Sequence, residues 1–318
     1  MRALLAAALG CLITTGASAQ EFPARPIRMI MANNPGSASD IYGRILFTRM
    51  AERMGQQIVV DNRPGAGGVI GVEMAARAPA DGYTLVTVTA AVVTIAPHVY
   101  RKIGYDALKD LAPVSVFIKS ETALCVNNSV SAKTVREFID LARAKPGALN
   151  MASAGVGATS HLGGLMFASA VGIEANHVPY KGEAASFPDL VSGQIQLAWG
   201  SVGFYARQLS TGKVKLIAVA SPKRLKDFPS VPTLSEAGYP DVNLAGWGGL
   251  FLPAGTPAAI VDKWSQEVRR ITNLPDVQKK IYEMGFEPMG NTPAEFSQVI
   301  ASDLQKWGAV VRANNIKA

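Results

Sequence analysis

The apolar residues of this chain occur in two patterns, short runs and longer stretches with helical periodicity. Short apolar runs bounded by Gly, Pro, Asn or Asp predict strands, whereas apolar residues at three- and four-residue intervals predict helices. The predicted strands cover residues 25–32, 58–60, 84–89, 111–118, 123–126, 148–152, 175–179, 194–199 and 213–220. The predicted helices cover residues 41–50, 72–77, 131–144, 162–167, 183–192, 204–210, 258–271, 275–284 and 292–314.

Strands and helices alternate along most of the chain, which is typical of α/β layers built on parallel sheets. In such sheets, ligands bind beyond the carboxyl ends of the strands. The turns that would form this binding rim follow Ala32, Thr89, Ser153, Pro179 and Trp199.

The most informative of these turns leads from Ser153 into a helix and contains Gly155 and Gly157. Glycines permit positive φ and a close approach of the backbone. Thr159 or Ser160 is a suitable N-cap for the helix that follows. Such a turn presents unpaired backbone N–H groups at the positive end of a helix, so it predicts a site for an anion, such as one end of a small carboxylate.

The first predicted strand leads into a similar unit, a turn at residues 33–40 followed by a helix. Ser37 and Asp40 have the spacing of a capping box, with Asp in place of Glu. This pattern is equally consistent with a ligand-binding loop and with a helix that is simply well capped.

Composition and charge restrict the class of protein. Hydrophobic residues make up 48% and charged residues 17%, which indicates a globular protein with a large core. The net charge is +7, but Lys and Arg form no long run, which argues against a nucleic-acid partner.

The amino-terminal residues 1–19 predict a secretory signal peptide, and therefore an exported protein. They combine Arg2, a short apolar run and a final Ala-Ser-Ala. A membrane anchor is the alternative, but a span needs about 20 apolar residues and this run is shorter. Only Cys125 would remain in the mature chain, where we interpret it as a packing residue.

Familiar catalytic and cofactor motifs are missing from the sequence. There is no P-loop and no G-x-S-x-G motif, and the three histidines lack metal-ligand spacing. Ser160 and His161 are adjacent, which rarely places a base on a nucleophile. Asp40 could be a base, but a carboxylate in a first helical turn also has an explanation in the helix dipole. We therefore expect a solute receptor with no catalytic residue, metal or cofactor.

Several motifs resemble the Bordetella uptake gene (Bug) receptors, the extracytoplasmic solute receptors of tripartite tricarboxylate transporters. The similarity extends over nearly all of the mature chain and is specific when the motifs are taken together. The motifs are Val-Asp-Asn-Arg-Pro-Gly-Ala-Gly-Gly at 60–68, Ala-Asp-Gly-Tyr-Thr-Leu at 80–85, Ser-Ala-Gly-Val-Gly-x-x-Ser-His-Leu at 153–162, His-Val-Pro-Tyr-Lys-Gly at 177–182, Pro-Ala-Gly-Thr-Pro at 253–257 and the tail around Trp307.

The resemblance implies a two-domain periplasmic binding protein that closes on its ligand like a flytrap, each domain being a mostly parallel sheet flanked by helices. It implies a first domain of residues 23–125 and 247–318 and a second of 126–246. It also implies a small organic carboxylate as ligand, held by backbone N–H groups, hydroxyls and water. With the rim, the candidate ligand-binding residues are Asn33, Asn34, Ser37, Ala38, Ser39, Asp40, Thr89, Ala90, Ala154, Gly155, Gly157, Ala158, Thr159, Ser160, His161, Trp199, Gly200 and Ser201.

The chain departs from the family pattern at several positions of this site. Asn33 replaces an aromatic residue and Ser37 replaces a glycine in the first loop, which is where we expect selectivity to lie. The turn before Pro97 carries Val92 and Val93 instead of a hydroxyl residue and histidine. No acid follows the strand that ends at Trp199, which argues against amino acids as ligands. Trp199 is either a flat wall for the ligand or a core residue.

The leading hypothesis is a monomeric receptor that delivers a carboxylate to the membrane subunits of a tripartite tricarboxylate-type transporter. One alternative is an exported sensor that reports its ligand to a signalling partner. Another is an exported hydrolase or isomerase that uses Asp40 or His161.

Overall fold

The computed structural model describes residues 22–317 of the chain. The expected signal peptide, residues 1–19, lies outside the described residues. The strands are β1 (Ile27–Met31), β2 (Ile58–Asn62), β3 (Thr84–Thr89), β4 (Leu111–Ser120), β5 (Thr122–Asn127), β6 (Leu149–Ser153), β7 (Ala175–Pro179), β8 (Leu197–Ser201), β9 (Val214–Val219), β10 (Gly246–Pro253) and β11 (Glu287–Pro288).

The helices are α1 (Ala38–Met54), α2 (Val69–Ala76), α3 (Ala96–Val99), α4 (Val135–Ala144), α5 (Thr159–Val171), α6 (Glu183–Ser192), α7 (Val202–Ala206), α8 (Ala258–Thr272), α9 (Pro275–Glu283) and α10 (Pro293–Ala313). A π-helical turn at Ala91–Ile95 joins β3 to α3, and two 3₁₀ turns lie at Ala66–Gly68 and Leu209–Thr211.

The strands form two sheets, each of which is the centre of a domain. The first sheet has the order β11-β4-β10-β3-β1-β2, and the second has the order β7-β6-β8-β5-β9. Helices flank both sheets and bury apolar faces against them, as in α4, where Val135, Phe138 and Ile139 are buried. The α/β fold with two domains is therefore as expected.

Both sheets are mixed, so the expectation of mostly parallel sheets is wrong. In the first sheet β1 pairs in parallel with β2 and β3, but β10 is antiparallel to β3 and β4. In the second sheet β6 is parallel to β7 and β8, but β5 is antiparallel to β8 and β9. β4, β5 and β10 lie next to the crossovers between the sheets, and the short β11 is also antiparallel to β4.

Strand pairing also bears on the domain limits. β5 pairs in the second sheet from Thr122 onwards, so residues 122–125 belong there and not with the first domain. The chain returns to the first sheet at Gly246, where β10 begins. Apart from these residues, the division into 23–125 with 247–318 and 126–246 remains a prediction.

The carboxyl-terminal helix joins the two domains. α10 starts at a capping box, in which Thr292 and Glu295 each accept a hydrogen bond from the backbone of the other's position. Its far end buries Trp307 and Val311 in the same apolar cluster as Leu124 and Phe167 of the second domain. The Lys306 ammonium donates to the carbonyl of Asn243, which precedes β10.

A second junction brings two glycines into backbone contact. Gly203 in α7 of the second domain faces Gly285, which lies between α9 and β11 of the first domain. A Cβ added at Gly203 would lie 2.5 Å from the Gly285 Cα and 2.3 Å from the Met284 carbonyl oxygen. Because a backbone cannot move aside as a side-chain tip can, this contact requires glycine.

Two further expectations concern the packing of Cys125 and membrane-spanning helices. Cys125 is fully buried, and burial raises the pKa of its thiol, which agrees with a packing role. Within residues 22–317, no helix combines the length and apolar character that a membrane span requires.

We predict that Gly203→Ala lowers the free energy of unfolding by about 1–3 kcal/mol, since the methyl group would force the two backbones apart. Urea unfolding followed by circular dichroism measures the change. Gly246→Ala is the matched control at the neighbouring crossover, because its added Cβ would have its nearest contact at 3.7 Å. Equal effects of the two substitutions would contradict the close packing of Gly203 on Gly285.

Candidate functional site

Three of the turns that carry candidate residues, those after β3, β6 and β8, lie where the domains meet. Ser201, at the end of β8, pairs with Thr122, the first residue of β5 after the crossover. The Val202 N–H donates to the Glu121 carbonyl at 2.9 Å. A Cβ added at Gly157 would lie 3.6 Å from Val99, in the helix that follows β3 in the first domain. The turns after β3, β6 and β8 therefore come together at the domain boundary, where the ligand cleft is predicted.

Asp40 holds the loop after β1 in place through hydrogen bonds. It is 3% exposed, and its carboxylate accepts hydrogen bonds from the Gly36 N–H at 3.0 Å, Asn62 Nδ2 at 2.9 Å and Arg44 Nε at 2.9 Å. Burial opposes ionisation of Asp40, but the bonds from Arg44, Asn62 and Gly36 outweigh burial and lower its pKa. Asp40 therefore acts through the loop that it holds, and a low pKa is the opposite of what a general base needs.

Ser37 belongs to the same internal network. Its hydroxyl donates to the Asn34 carbonyl at 2.7 Å and accepts from the Asp40 N–H at 3.3 Å, so it caps α1 as the spacing predicts. Ser39 Oγ lies 3.2 Å from Ser37 Oγ. Asn34 is exposed at the tip of the loop.

Asn33 differs from its neighbours because its amide oxygen is buried without a partner among the described residues. A buried polar atom without a hydrogen bond costs about 1–3 kcal/mol. Asn33 is therefore the first-loop residue whose side chain gains most from a bound molecule.

In the loop after β6, three N–H groups that were expected to be free are paired inside the loop. The Ala154 N–H donates to Ser160 Oγ at 3.0 Å, and the Gly155 N–H donates to Ser153 Oγ at 3.2 Å. The Gly157 N–H donates to His161 Nδ1 at 3.2 Å. For these residues the expectation of unpaired N–H groups is wrong, because neighbouring side chains already satisfy the backbone.

The N–H groups without a partner among the described residues lie just after this loop, in the first turn of α5. The N-cap is Ala158, which has no side chain able to cap, so the expectation of capping by Thr159 or Ser160 is wrong. Within residues 22–317, the N–H groups of Thr159, Ser160 and His161 donate to no other atom. The positive end of α5 therefore carries N–H donors that no atom of the described residues accepts.

His161 supports this arrangement from inside the protein. Its ring stacks on His177 with ring centroids 3.9 Å apart, and His177 Nε2 lies 2.6 Å from Ser153 Oγ. Burial, together with the neighbouring His177, lowers the pKa of His161 to about 4. Because Nδ1 accepts from the Gly157 N–H, His161 is neutral and protonated at Nε2.

At the end of β8 the structure brings in a residue that sequence reasoning missed. Glu183, the first residue of α6, accepts from the Ser201 N–H at 2.6 Å and from the Ser201 hydroxyl at 2.7 Å. Gly200 leaves room for this carboxylate, since an added Cβ would lie 2.7 Å from Glu183 Oε1. The expectation that no acid lies near this strand end is therefore wrong.

Of the remaining candidates, Trp199 and Ala90 are buried and Thr89 is partly exposed. Trp199 is 1% exposed and packs on Phe167 in the second-domain core, so the structure favours the core alternative over a ligand wall. Ala90 is buried, and its carbonyl accepts from the Thr94 hydroxyl. Thr89, at the end of β3, is partly exposed.

Sequence reasoning also missed the residues that hold the loops, namely Arg44, Asn62, Ser153, His177 and Glu183. Asn62 and His177 lie in motifs that carry the family resemblance, at 60–68 and 177–182. Glu183 directly follows the second motif. Asn62 contacts Asp40 over 22 positions, His177 contacts Ser153 over 24, and Glu183 contacts Ser201 over 18. Spacing along the chain does not show such contacts.

Comparison with known proteins agrees with this architecture. The family described as "Tripartite tricarboxylate transporter family receptor" matches residues 43–316. Protein BugT of Bordetella pertussis is 31% identical over 319 residues, which cover 98% of this chain and 98% of BugT. The Bug-type resemblance is therefore confirmed.

Solved structures show the same fold. A protein of R. palustris solved with adipate has a TM-score of 0.85 and 30% identity, and the match covers 94% of this chain and 100% of that one. MatC from Rhodopseudomonas palustris with bound malate has a TM-score of 0.80 and 28% identity, with 91% and 100% covered.

We predict that the protein becomes less stable as the pH falls from 7 to 5, by roughly 2 kcal/mol through His161. The pKa of His161 is lowered from 6.5 to about 4, so the unfolded chain takes up its proton first. The stability that comes from keeping His161 neutral is fully present above pH 6.5 and is lost as the pH falls towards 4. The lowered pKa of His177 acts in the same direction.

Urea unfolding at pH 7 and pH 5 measures this loss. His161→Asn is the matched variant, because an amide oxygen can accept from the Gly157 N–H but does not titrate. The variant should show a smaller difference between the two pH values. An unchanged difference would mean that other groups cause the pH dependence.

Proposed function

Since the chain belongs to the tripartite tricarboxylate transporter receptor family, we propose that it is an exported receptor that binds a small organic carboxylate between its two domains. Adipate and malate, the ligands of two similar structures, are small dicarboxylates. The proposal also includes export to the periplasm by residues 1–19 and action as a monomer.

The observation that carries the proposal is the uncapped start of α5. Its free N–H groups are donors fixed by the fold, and the helix dipole adds a positive potential at the same place. A carboxylate has acceptor oxygens that match such donors. In α1, by contrast, Ser37 occupies the cap position, so the second domain offers the better carboxylate receptor.

The first loop would bind the ligand from the other domain. Asn33 has a buried amide oxygen without a partner in the described part of the chain, and Asn34 is exposed beside it. The Asp40 network holds both at the edge of the cleft. This side would set selectivity, whereas the α5 start would hold the carboxylate shared by all ligands of the class.

Delivery of the ligand to the membrane subunits of a tripartite tricarboxylate-type transporter completes the proposed function. A receptor of this kind does no chemistry, and the side chains once considered as bases agree with that. Asp40 has a lowered pKa and three donors, and His161 is 6% exposed and engaged with Gly157.

We predict that a small di- or monocarboxylate stabilises the purified mature protein in a thermal-shift screen that includes adipate and malate. At 100 times its Kd, a ligand adds about 2.7 kcal/mol to the free energy of unfolding. The bound compound should be recovered unchanged after incubation. Turnover of a carboxylate, or no shift with any of them, would contradict the receptor. Ligand-dependent binding to a sensor kinase would favour a signalling role over transport.

We predict that Thr159→Pro weakens carboxylate binding by about 10-fold, because proline removes one free N–H at the start of α5. Proline suits the first helical position, and the preceding Ala158 already has the extended backbone that proline requires, with φ −69° and ψ 154°. Isothermal titration with the best ligand of the screen measures the change.

Thr159→Val is the matched control, since it removes the same hydroxyl but keeps the N–H. Its Kd should stay within about 3-fold of the parent protein. If both variants lose affinity equally, the side chain of Thr159 matters and the backbone donor does not. If neither loses affinity, the carboxylate binds away from α5.

A further inference from the structure

Two side chains of α10 hold the chain where it crosses from the second domain back to the first. The Lys306 ammonium donates to the carbonyl of Asn243. The Asp303 carboxylate accepts from Trp247 Nε1 at 2.8 Å. Asn243 and Trp247 lie on opposite sides of Gly246, the first residue of β10. Asp303 and Lys306, which we call the α10 bracket, are neighbours one helical turn apart, so a single turn of the helix is bonded to both sides of the crossover.

The two sides of this crossover are fixed to different domains. Next to the carbonyl that Lys306 binds, the Leu244 carbonyl accepts from the hydroxyl of Thr122 in the second sheet at 2.6 Å. Trp247 instead pairs with Lys119 in the first sheet. Two residues separate Leu244 from Trp247. The chain therefore changes domain between the two points that the α10 bracket holds.

Helix α10 changes its apolar surroundings at the same level. Phe296 and Ile300 pack in an apolar cluster of the first domain, which also contains Trp247. Trp307 and Val311 pack in the large cluster of the second domain. The α10 bracket lies between these two pairs along the helix. The helix and the chain that it holds therefore pass from one domain to the other side by side.

The first crossover lies directly beside the second. Ser120, the last residue of β4, pairs with Gly246. After Glu121 the chain enters β5 of the second sheet at Thr122. Domains rotate as packed units about a few residues between elements, so a rotation would act where these neighbouring passages run. The α10 bracket thus lies on the line about which the two domains would turn.

Burial makes both bonds of the α10 bracket costly to break. Asp303 and Lys306 are partly buried. Burial raises the pKa of Asp303 and lowers the pKa of Lys306, and in each case the charge of the other side chain acts against burial. A buried polar group that loses its partner loses more than a surface group does, because less water can replace the partner. The two bonds therefore resist the change in spacing that a rotation between the domains requires.

From this geometry we infer that the α10 bracket holds the two domains in the arrangement that binds ligand, which makes Asp303 and Lys306 positioning residues of the receptor. The inference rests on the proposed function, because the ligand must bind between the domains. Without the bracket the domains turn more freely, and the binding arrangement is populated less. The apparent Kd rises in proportion to that loss of population. Neither residue needs to touch the ligand for this effect.

The test breaks each half of the bracket in the mature protein and measures both shape and affinity. Lys306→Met removes the donor to Asn243 and keeps a long side chain. Trp247→Phe removes the indole N–H that Asp303 accepts and keeps an aromatic ring. Small-angle X-ray scattering without ligand should give a larger radius of gyration for each variant than for the parent protein. Isothermal titration with adipate and malate as probes should give a Kd about 5-fold higher for each variant.

The double variant shows whether the two halves act as one unit. If both hold the same hinge, breaking the second adds little, so Kd should rise about 5- to 10-fold and not the roughly 25-fold of independent effects. Arg312→Met is the matched control, since Arg312 is exposed on the same helix and its loss also removes one positive charge. It should keep the radius of gyration and the Kd of the parent protein. If Lys306→Met does not fold in a thermal melt, the radius of gyration and Kd of Trp247→Phe decide.

The outcomes separate the bracket from the receptor function. An unchanged radius of gyration in both variants overturns the bracket and leaves the receptor in place, even where the variants unfold at lower urea concentration. Independent effects in the double variant, or equal changes in Arg312→Met, also overturn it. Failure of both probes to bind the parent protein counts against the proposed function, and the radius of gyration then decides the bracket.

Discussion

The hydrogen bond from the Ala154 N–H to the Ser160 hydroxyl is the contact on which the cleft most depends. It folds the loop after β6 back on the first turn of α5, and it uses one of the two side chains that are suited by type to cap the helix. The start of α5 is then left with donors that the protein does not satisfy. Ser153 and His161 pair the neighbouring N–H groups, so the free donors are confined to one place. A receptor needs this restriction because a diffuse set of donors would not fix the orientation of its ligand.

The two domains contribute different polar groups to the predicted cleft. In the first domain, Asp40 accepts hydrogen bonds from Gly36, Asn62 and Arg44, and the loop residues Asn33 and Asn34 are neutral amides. In the second domain, the start of α5 has N–H groups that no atom of the described residues accepts, and the Glu183 carboxylate accepts hydrogen bonds from Ser201. Helix α10 connects the two domains, and so does the backbone contact of Gly203 with Gly285.

Particular elements show how far sequence reasoning reaches. Helix α1 and its Ser37 cap were predicted because a cap is local, with all its atoms within four residues. The capping box of α10 is local for the same reason. The start of α5 was misjudged because Thr159 and Ser160 are both good cap residues by type, and only the fold shows that Ser160 turns to Ala154. Glu183 was missed because the residue that it binds, Ser201, is 18 positions away.

The sequence by itself determined the class of fold, most helices and strands, the positions of the candidate loops and the family. These follow from local periodicity, local capping and motifs that are contiguous in the chain. Only the tertiary structure decided the mixed sheets, the core position of Trp199, the pairing within the glycine turn and the presence of an acid at the end of β8. Each of these depends on which distant residues come into contact, and burial and hydrogen bonding act on distance in space and not on distance along the chain.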